Sequence, residues 1–375
     1  MRKKTISIIS LTALSAAVIG AFLASTIKER NYNYIVGAVL PLTGDLAFFG
    51  QPEKYAIQLA KADLENRGVL QKNMLEIQIE DSRSTAKDGL SAVRKLLPSR
   101  PKSVVTSLTL VSLPAVPILS GLSIPQIALS VDPDIQNRAP SVYRLYYGFE
   151  DEMKAISDYA IRKKAKSVAI AWINTPELQS SIDTVLKPQL KLAGITLVGS
   201  SPHTFTTSDF RSTMASFAEK KPDLVILQDF GLLLPAMVEA ARSQGLQDLV
   251  GGIGFMSSNE RDRSKLANIP FALPKFLVED TQGFQDFERR FKNISGGKSA
   301  TYDVVFTYDA ISILGTAISS AQKSGKDLNS ILANTSRFKG IAGDLTIEDR
   351  AMRVPLSWGT FSPNGELVPY QETKS

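Results

Sequence analysis

No cysteine occurs among the 375 residues. That excludes a disulfide framework, a thiolate metal site, a cysteine nucleophile and a lipidated amino-terminal cysteine. Histidine is almost as scarce. His203, in "SPHTFTTSDF", stands alone, so no multi-histidine metal centre can form. A Ser-His-Asp triad is not expected either, because the G-x-S-x-G elbow is missing. His203 is expected in a surface loop. A phosphate loop is lacking too: "SGGKS", Ser295 to Ser299, has Lys292 where the earlier glycine would stand, and it reads as a surface turn. "GIGFMS", Gly252 to Ser257, is half of a dinucleotide fingerprint. It has no third glycine and no acidic partner at the usual distance, so it reads as a strand end where backbone passes close to something. No catalytic residue, metal site or cofactor is expected, and the chain is not read as an enzyme. No dense basic run with interleaved aromatics is present. The net charge of +6 owes half its value to Arg2, Lys3 and Lys4, so a nucleic-acid partner is not expected.

The composition that remains is globular, with 43% hydrophobic and 21% charged residues. "MRKK" is followed by an uncharged apolar run from Thr5 to Thr26, the pattern of an export signal. The basic end should stay in the cytoplasm while the bulk crosses. The run is long enough to span a bilayer, and Phe22 or Leu23 stands where a cleavage site wants a small residue. Residues 1–30 are therefore a signal peptide or a membrane anchor. Either way this segment contacts the membrane, and the rest lies in the periplasm or on the extracytoplasmic face.

Beyond the leader, strand and helix alternate. "YIVGAVLPL", "LEIQIEDS", "SVVTSLT" and "IPQIALS" read as strands, with helices between them such as "PEKYAIQLAKADLENRG", closed by Gly68. The cycle restarts at "DEMKAISDYAIRKK" and runs through the strands "SVAIAWI", "ITLVGSS", "DLVILQD" and "LVGGIGF". A long helix "TYDVVFTYDAISILGTAISSAQKSG" follows. The tail reads as short antiparallel strands turning at Asn364-Gly365. The fold class is α/β: two Rossmann-like lobes with parallel-sheet cores. Ligands of such sheets bind off the carboxyl ends of the strands. Here those ends are rich in hydroxyls, amides and aromatics and poor in charge, which suits a small polar molecule.

"VLPLTGDLAFFGQPEKYAIQLAKADLENRG", "LEIQIEDSRSTAKDGLSAVRKLL", "DFRSTMASF", "TYDAISILGTAI" and "FKGIAGDLTI", in this order and spacing, resemble the periplasmic branched-chain amino-acid-binding family. These are the substrate-binding components of ABC transporters for leucine, isoleucine, valine and related amides. The resemblance runs from about Tyr34 to the end. It implies a ligand cleft between lobes joined by three crossovers, placed near Gly148, Val278 and Gly343. Lobe 1 is then 31–148 plus 279–343, and lobe 2 is 149–278 plus 344–375. It implies hinge closure on the ligand and an inner-membrane ABC permease as partner.

Carried over residue by residue, the resemblance puts Phe49 at the cleft-facing aromatic of the first loop, with Phe48 packed against its own lobe. Thr109 takes the ligand-carboxylate position. Ser130 and Asp132 take the paired positions after the fourth strand, and Glu177 stands near the family's tyrosine. Phe230 is the second closing aromatic. Gly254 stands where the family places the acid that grips the ligand ammonium. Either Asp229, Glu177 or Asp132 supplies that charge, or the ligand has no ammonium, or small-molecule binding is lost. The function implied is an extracytoplasmic solute-binding protein for an amino acid, amide or urea-like ligand. The alternative is a membrane-anchored sensor or interaction protein of the same fold.

Overall fold

The computed structural model describes residues 34–371, apart from 230, 232, 280 and 281. Five strands come first: β1 (Tyr34–Leu40), β2 (Leu75–Asp81), β3 (Ser103–Ser107), β4 (Gln126–Leu129) and β5 (Val142–Arg144). β1 lies between β2 and β3, then β4 and β5 follow, all in parallel register. The inner strands are buried on both faces, which is why they read as unbroken apolar runs. The edge strand β2 keeps the alternation "LEIQIED" and stays half-exposed.

The chain then leaves for a second sheet through the helix Phe149–Arg162. β6 (Ser167–Ile173), β7 (Thr196–His203), β8 (Leu224–Gln228), β9 (Leu249–Gly251) and β10 (Phe271–Pro274) build it in the order β10-β9-β8-β6-β7, again parallel. "GIGF" itself lies outside β9, in a 3-10 turn over Ile253–Ser257. The helices Gln282–Ser295 and Tyr302–Ser324 bring the chain back, both packing on the helix Ala47–Asn66. Tyr302–Ser324 is long and apolar enough to cross a membrane, but it is 89% buried over its most apolar window, as a core helix.

The tail differs from the sequence expectation. β11 (Arg337–Gly340), β12 (Gly343–Glu348) and β13 (Ala351–Arg353) extend the first sheet, with β13 beside β5. Only β14 (Leu356–Phe361) and β15 (Leu367–Pro369) join the second sheet, antiparallel to β10 and to each other. The third crossing therefore falls at Val354–Pro355, not near Gly343. Pro355 explains the place: it offers no N–H to a ladder and ends β13.

Candidate functional site

The carboxyl ends of both sheets face the crossing segments, and the side chains gathered there form the candidate cleft. Its first-sheet wall starts at the loop after β1. Asp81 fixes that loop: its carboxylate accepts from the backbone of Leu42, Thr43 and Arg83 and from the Thr43 hydroxyl. Burial pushes its pKa up, but these hydrogen bonds outweigh that and hold it below the usual value. Gly50 lets the following helix come close. A Cβ there would stand 2.3 Å from the Pro41 carbonyl oxygen. This packing carries Phe48 and Phe49 to the start of the helix. Phe48 is 64% exposed and does not pack into its own lobe as expected; its ring leans on Phe49 at 4.3 Å between centroids, and Phe49 is half-buried.

At the end of β3, Leu108 holds φ 72° and ψ 142°, a region that only glycine visits freely. The helix Thr109–Gly121 starts immediately after, with no side-chain cap; the Val111 and Ser112 amides bond the Leu108 carbonyl, which leaves those of Thr109 and Leu110 without a partner in the helix. Thr109 and Ser130 are both buried, and their hydroxyls meet at 2.9 Å. The structure thus brings together two residues that lie on separate strand ends. Ser130 also accepts from the Asp132 amide, and Asp132 in turn accepts from the Asp134 amide, which makes it a turn residue.

The second-sheet wall is less open than expected. Asp229 is buried and already engaged: one oxygen meets His203 Nε2 at 3.0 Å, and the other accepts the Leu233 amide. His203 is therefore no surface-loop histidine. β7 extends to it, it is only 7% exposed, and Phe210 packs edge-on against its ring. Glu177 lies half-buried in the first turn of the helix Pro176–Ser181, which Thr175 caps. Gly254 is buried within the turn that follows β9. Phe230 lies outside the described residues.

What the sequence did not flag is an acidic floor. Glu53 lies one helical turn beyond Phe49 and is 2% exposed. Ser107 donates to its Oε1 at 2.9 Å, and its Oε2 has no partner among the described residues. Burial, reinforced by the charge of Asp303, pushes its pKa up to about 8. Asp303, in the first turn of the helix Tyr302–Ser324, is 4% exposed, with Oδ2 unpartnered and its pKa raised by burial to about 6. The charge of Asp303 raises Glu53 but the reverse does not hold, because at the pH where Asp303 ionises Glu53 is still neutral. From the second lobe comes Glu152, fully buried, accepting from the Tyr147 hydroxyl and the Ile253 amide. Tyr146 and Tyr302 stand beside Asp303, and burial raises both phenols. Tyr302 also reaches Ser257, 3.5 Å away on the second lobe. The signal was faint, since single acids on amphipathic helices usually face water.

The crossing itself carries an ion network. Arg144, at the end of β5, is fully buried and pairs with Glu150 in the first turn of the helix Phe149–Arg162. Arg353, from β13, pairs with Glu150 and with Asp151. Two arginines of the first sheet thus hold two acids of the second lobe.

Among the described residues no group of three or more His, Asp or Glu is placed to hold a metal ion. A hollow of about 540 Å³, lined by Tyr34, Lys102 and Pro125, lies at the amino ends of β1, β3 and β4, away from all these groups.

Comparison with known proteins adds an independent line. A family model described as periplasmic binding protein matches residues 34–357. The Leu/Ile/Val-binding protein BraC3 of Rhizobium johnstonii is 21% identical over 256 residues, covering 66% of this chain and 68% of that one. Solved structures share the fold. The branched-chain amino acid transporter substrate binding protein LivJ of Streptococcus pneumoniae, in complex with isoleucine, superposes with a TM-score of 0.73 at 20% identity, covering 89% of this chain and 97% of that one. An ABC-transporter solute binding protein of Rhodopseudomonas palustris, in complex with 3,4-dihydroxy benzoic acid, gives 0.74 at 17% identity, with 90% and 96% covered.

Proposed function

The chain belongs to the periplasmic binding protein family, and from that premise we propose that it is the extracytoplasmic solute-binding component of an ABC importer, closing two lobes over a small polar organic molecule. The observation that carries this reading is the uncapped helix start at Thr109, with its hydroxyl joined to Ser130 at the carboxyl ends of β3 and β4. Amides and hydroxyls so placed suit a carboxylate or other acceptor group of a ligand. The named ligands of the relatives, isoleucine and 3,4-dihydroxy benzoic acid, both carry a carboxylate. Lobe 1 comprises 34–148 plus 279–353, and lobe 2 comprises 149–278 plus 356–371. The three crossings between them serve as the hinge, and the closed form docks on an inner-membrane permease.

A thermal-shift panel of amino acids, amides, ureas and aromatic acids on ligand-stripped protein tests the reading. At least one compound should raise the melting temperature by several degrees. No shift with any class refutes it. The leader, which falls outside the described residues, favours a second reading, a membrane-anchored sensor of the same fold, because it lacks a small-residue cleavage site. Amino-terminal sequencing of the mature protein separates the forms: a terminus near residue 26 supports a released carrier, and an intact Met1 or Arg2 an anchored one.

A further inference from the structure

We propose that Glu53 and Asp303, flanked by the rings of Tyr146 and Tyr302, form a cation subsite at the floor of the cleft, so that the solute carries an ammonium or amidinium group. This rests on the solute-binding reading above and narrows it to a ligand class.

Three independent observations lead here. First, two carboxylates are more than nine-tenths buried, and each keeps one oxygen with no hydrogen-bond partner among the described residues. Buried carboxylate oxygens are costly to leave unpaired. Second, none of the groups acting on Glu53, Asp303 or Glu152 is a lysine, arginine or histidine. The protein therefore supplies no countercharge of its own there, whereas in its other buried ion cluster Arg144 and Arg353 stand against Glu150 and Asp151. Third, two tyrosines stand beside the pair. Tyr146 feels both Asp303 and Glu53, and Phe306 holds Tyr146 edge-on at 5.4 Å and Tyr302 at 6.2 Å. Aromatic side chains beside carboxylates are surroundings that retain an organic cation.

Other acids near the strand ends do not compete. Asp229 is held by His203, and Asp132 by its own turn. Gly254 leaves the turn after β9 without an acid, and Glu152 on that wall already accepts from the Tyr147 hydroxyl and the Ile253 amide. The charge that a ligand amine needs thus comes from the first lobe, beside Ser107 and two residues from Thr109. A zwitterion could then place its carboxylate at Thr109 and its amine at Glu53 and Asp303 without reaching the other wall. An aromatic acid, lacking any cation, would leave the charge of Asp303 unmatched.

The proposal also fixes a proton balance. In the empty site Glu53 holds a proton at neutral pH. An arriving cation takes that proton's place, and the proton goes to solvent. Binding of an amine should therefore release close to one proton per ligand at pH 7, and affinity should rise with pH up to about 8.

The test is titration calorimetry of the full chain, stripped of ligand, at pH 6, 7 and 8 in buffers of different ionisation enthalpy. The probes are L-leucine, agmatine, acetamide and 4-hydroxybenzoate. We expect leucine or agmatine to bind with proton release. Asp303→Asn and Glu53→Gln should each weaken that binding at least tenfold, and Glu53→Gln should abolish the release, with melting curves showing that both variants fold. Binding of 4-hydroxybenzoate or acetamide without either amine overturns the cation subsite and leaves the solute-binding reading intact. Amine binding that survives both substitutions, or that releases no proton, overturns it as well. Absence of binding by every probe removes the solute-binding reading and the subsite with it.

Discussion

Raising the pH should destabilise this protein through Glu53. Its carboxyl is buried, accepts only the Ser107 hydroxyl, and has its pKa pushed up to about 8 by burial first and by Asp303 second. In the unfolded chain the same group titrates near its ordinary value of 4.5. Between those two values the folded protein keeps a proton that the unfolded chain has lost, so stability falls as pH rises. The contribution is fully favourable below the unfolded value and is lost by the time pH passes the folded one. At about 1.4 kcal/mol for each pH unit separating the two, the loss by pH 8 is of the order of 4 kcal/mol. Asp303 and Asp309, raised by burial to about 6 and about 7, add slope of the same sign. The difference between wild type and Glu53→Gln isolates the one residue. Urea denaturation at half-unit steps from pH 5 to 8.5 measures both. Glu53→Gln should gain on wild type steadily across that range. Parallel curves would refute the reasoning, because they would mean that Glu53 is ionised or solvated in the folded state.

Other substitutions probe the hinge and the walls. Arg144→Leu removes a fully buried guanidinium from Glu150 and should cost about 3–5 kcal/mol in chemical denaturation; a loss below 1 kcal/mol would show that Arg353 suffices alone. Gly252→Ala places a Cβ 1.8 Å from Glu152 Oε1, which also holds the Ile253 amide through its other oxygen. It should cost about 2 kcal/mol, and clearly less in a Glu152→Ala background; equal costs in both would deny the clash. Thr109→Val deletes a hydroxyl joined to Ser130. Calorimetry should show roughly tenfold weaker ligand binding, about 1.4 kcal/mol, with the melting temperature nearly kept; unchanged affinity would remove Thr109 from the site.

The alternation of strands and helices was readable because the inner parallel strands are buried on both faces and stay apolar throughout, as in β3 and β8. Short strands were not: β11 to β13 carry three to six residues each, too few for a period to show, and the third crossing was placed a strand pair too early. β7 continues through Pro202 to His203 because it is an edge strand, where a missing N–H costs little. That extension turns an apparent loop histidine into a buried partner of Asp229. Thr109 and Ser130 could be placed at strand ends because each follows a strand that reads clearly. Glu53 and Asp303 could not. Each is one acid on a helix, and only the fold reveals that both helices turn these residues inward.

The late crossing at Val354–Pro355 also sets the order in which the molecule can form. The first sheet is incomplete until β13, and the second until β15 has paired with β14. Neither lobe is a continuous stretch of chain, so neither can finish folding while the ribosome still holds the last strands. A chain whose two sheets close only with these late strands stays unfinished, and so threadable, until they have emerged.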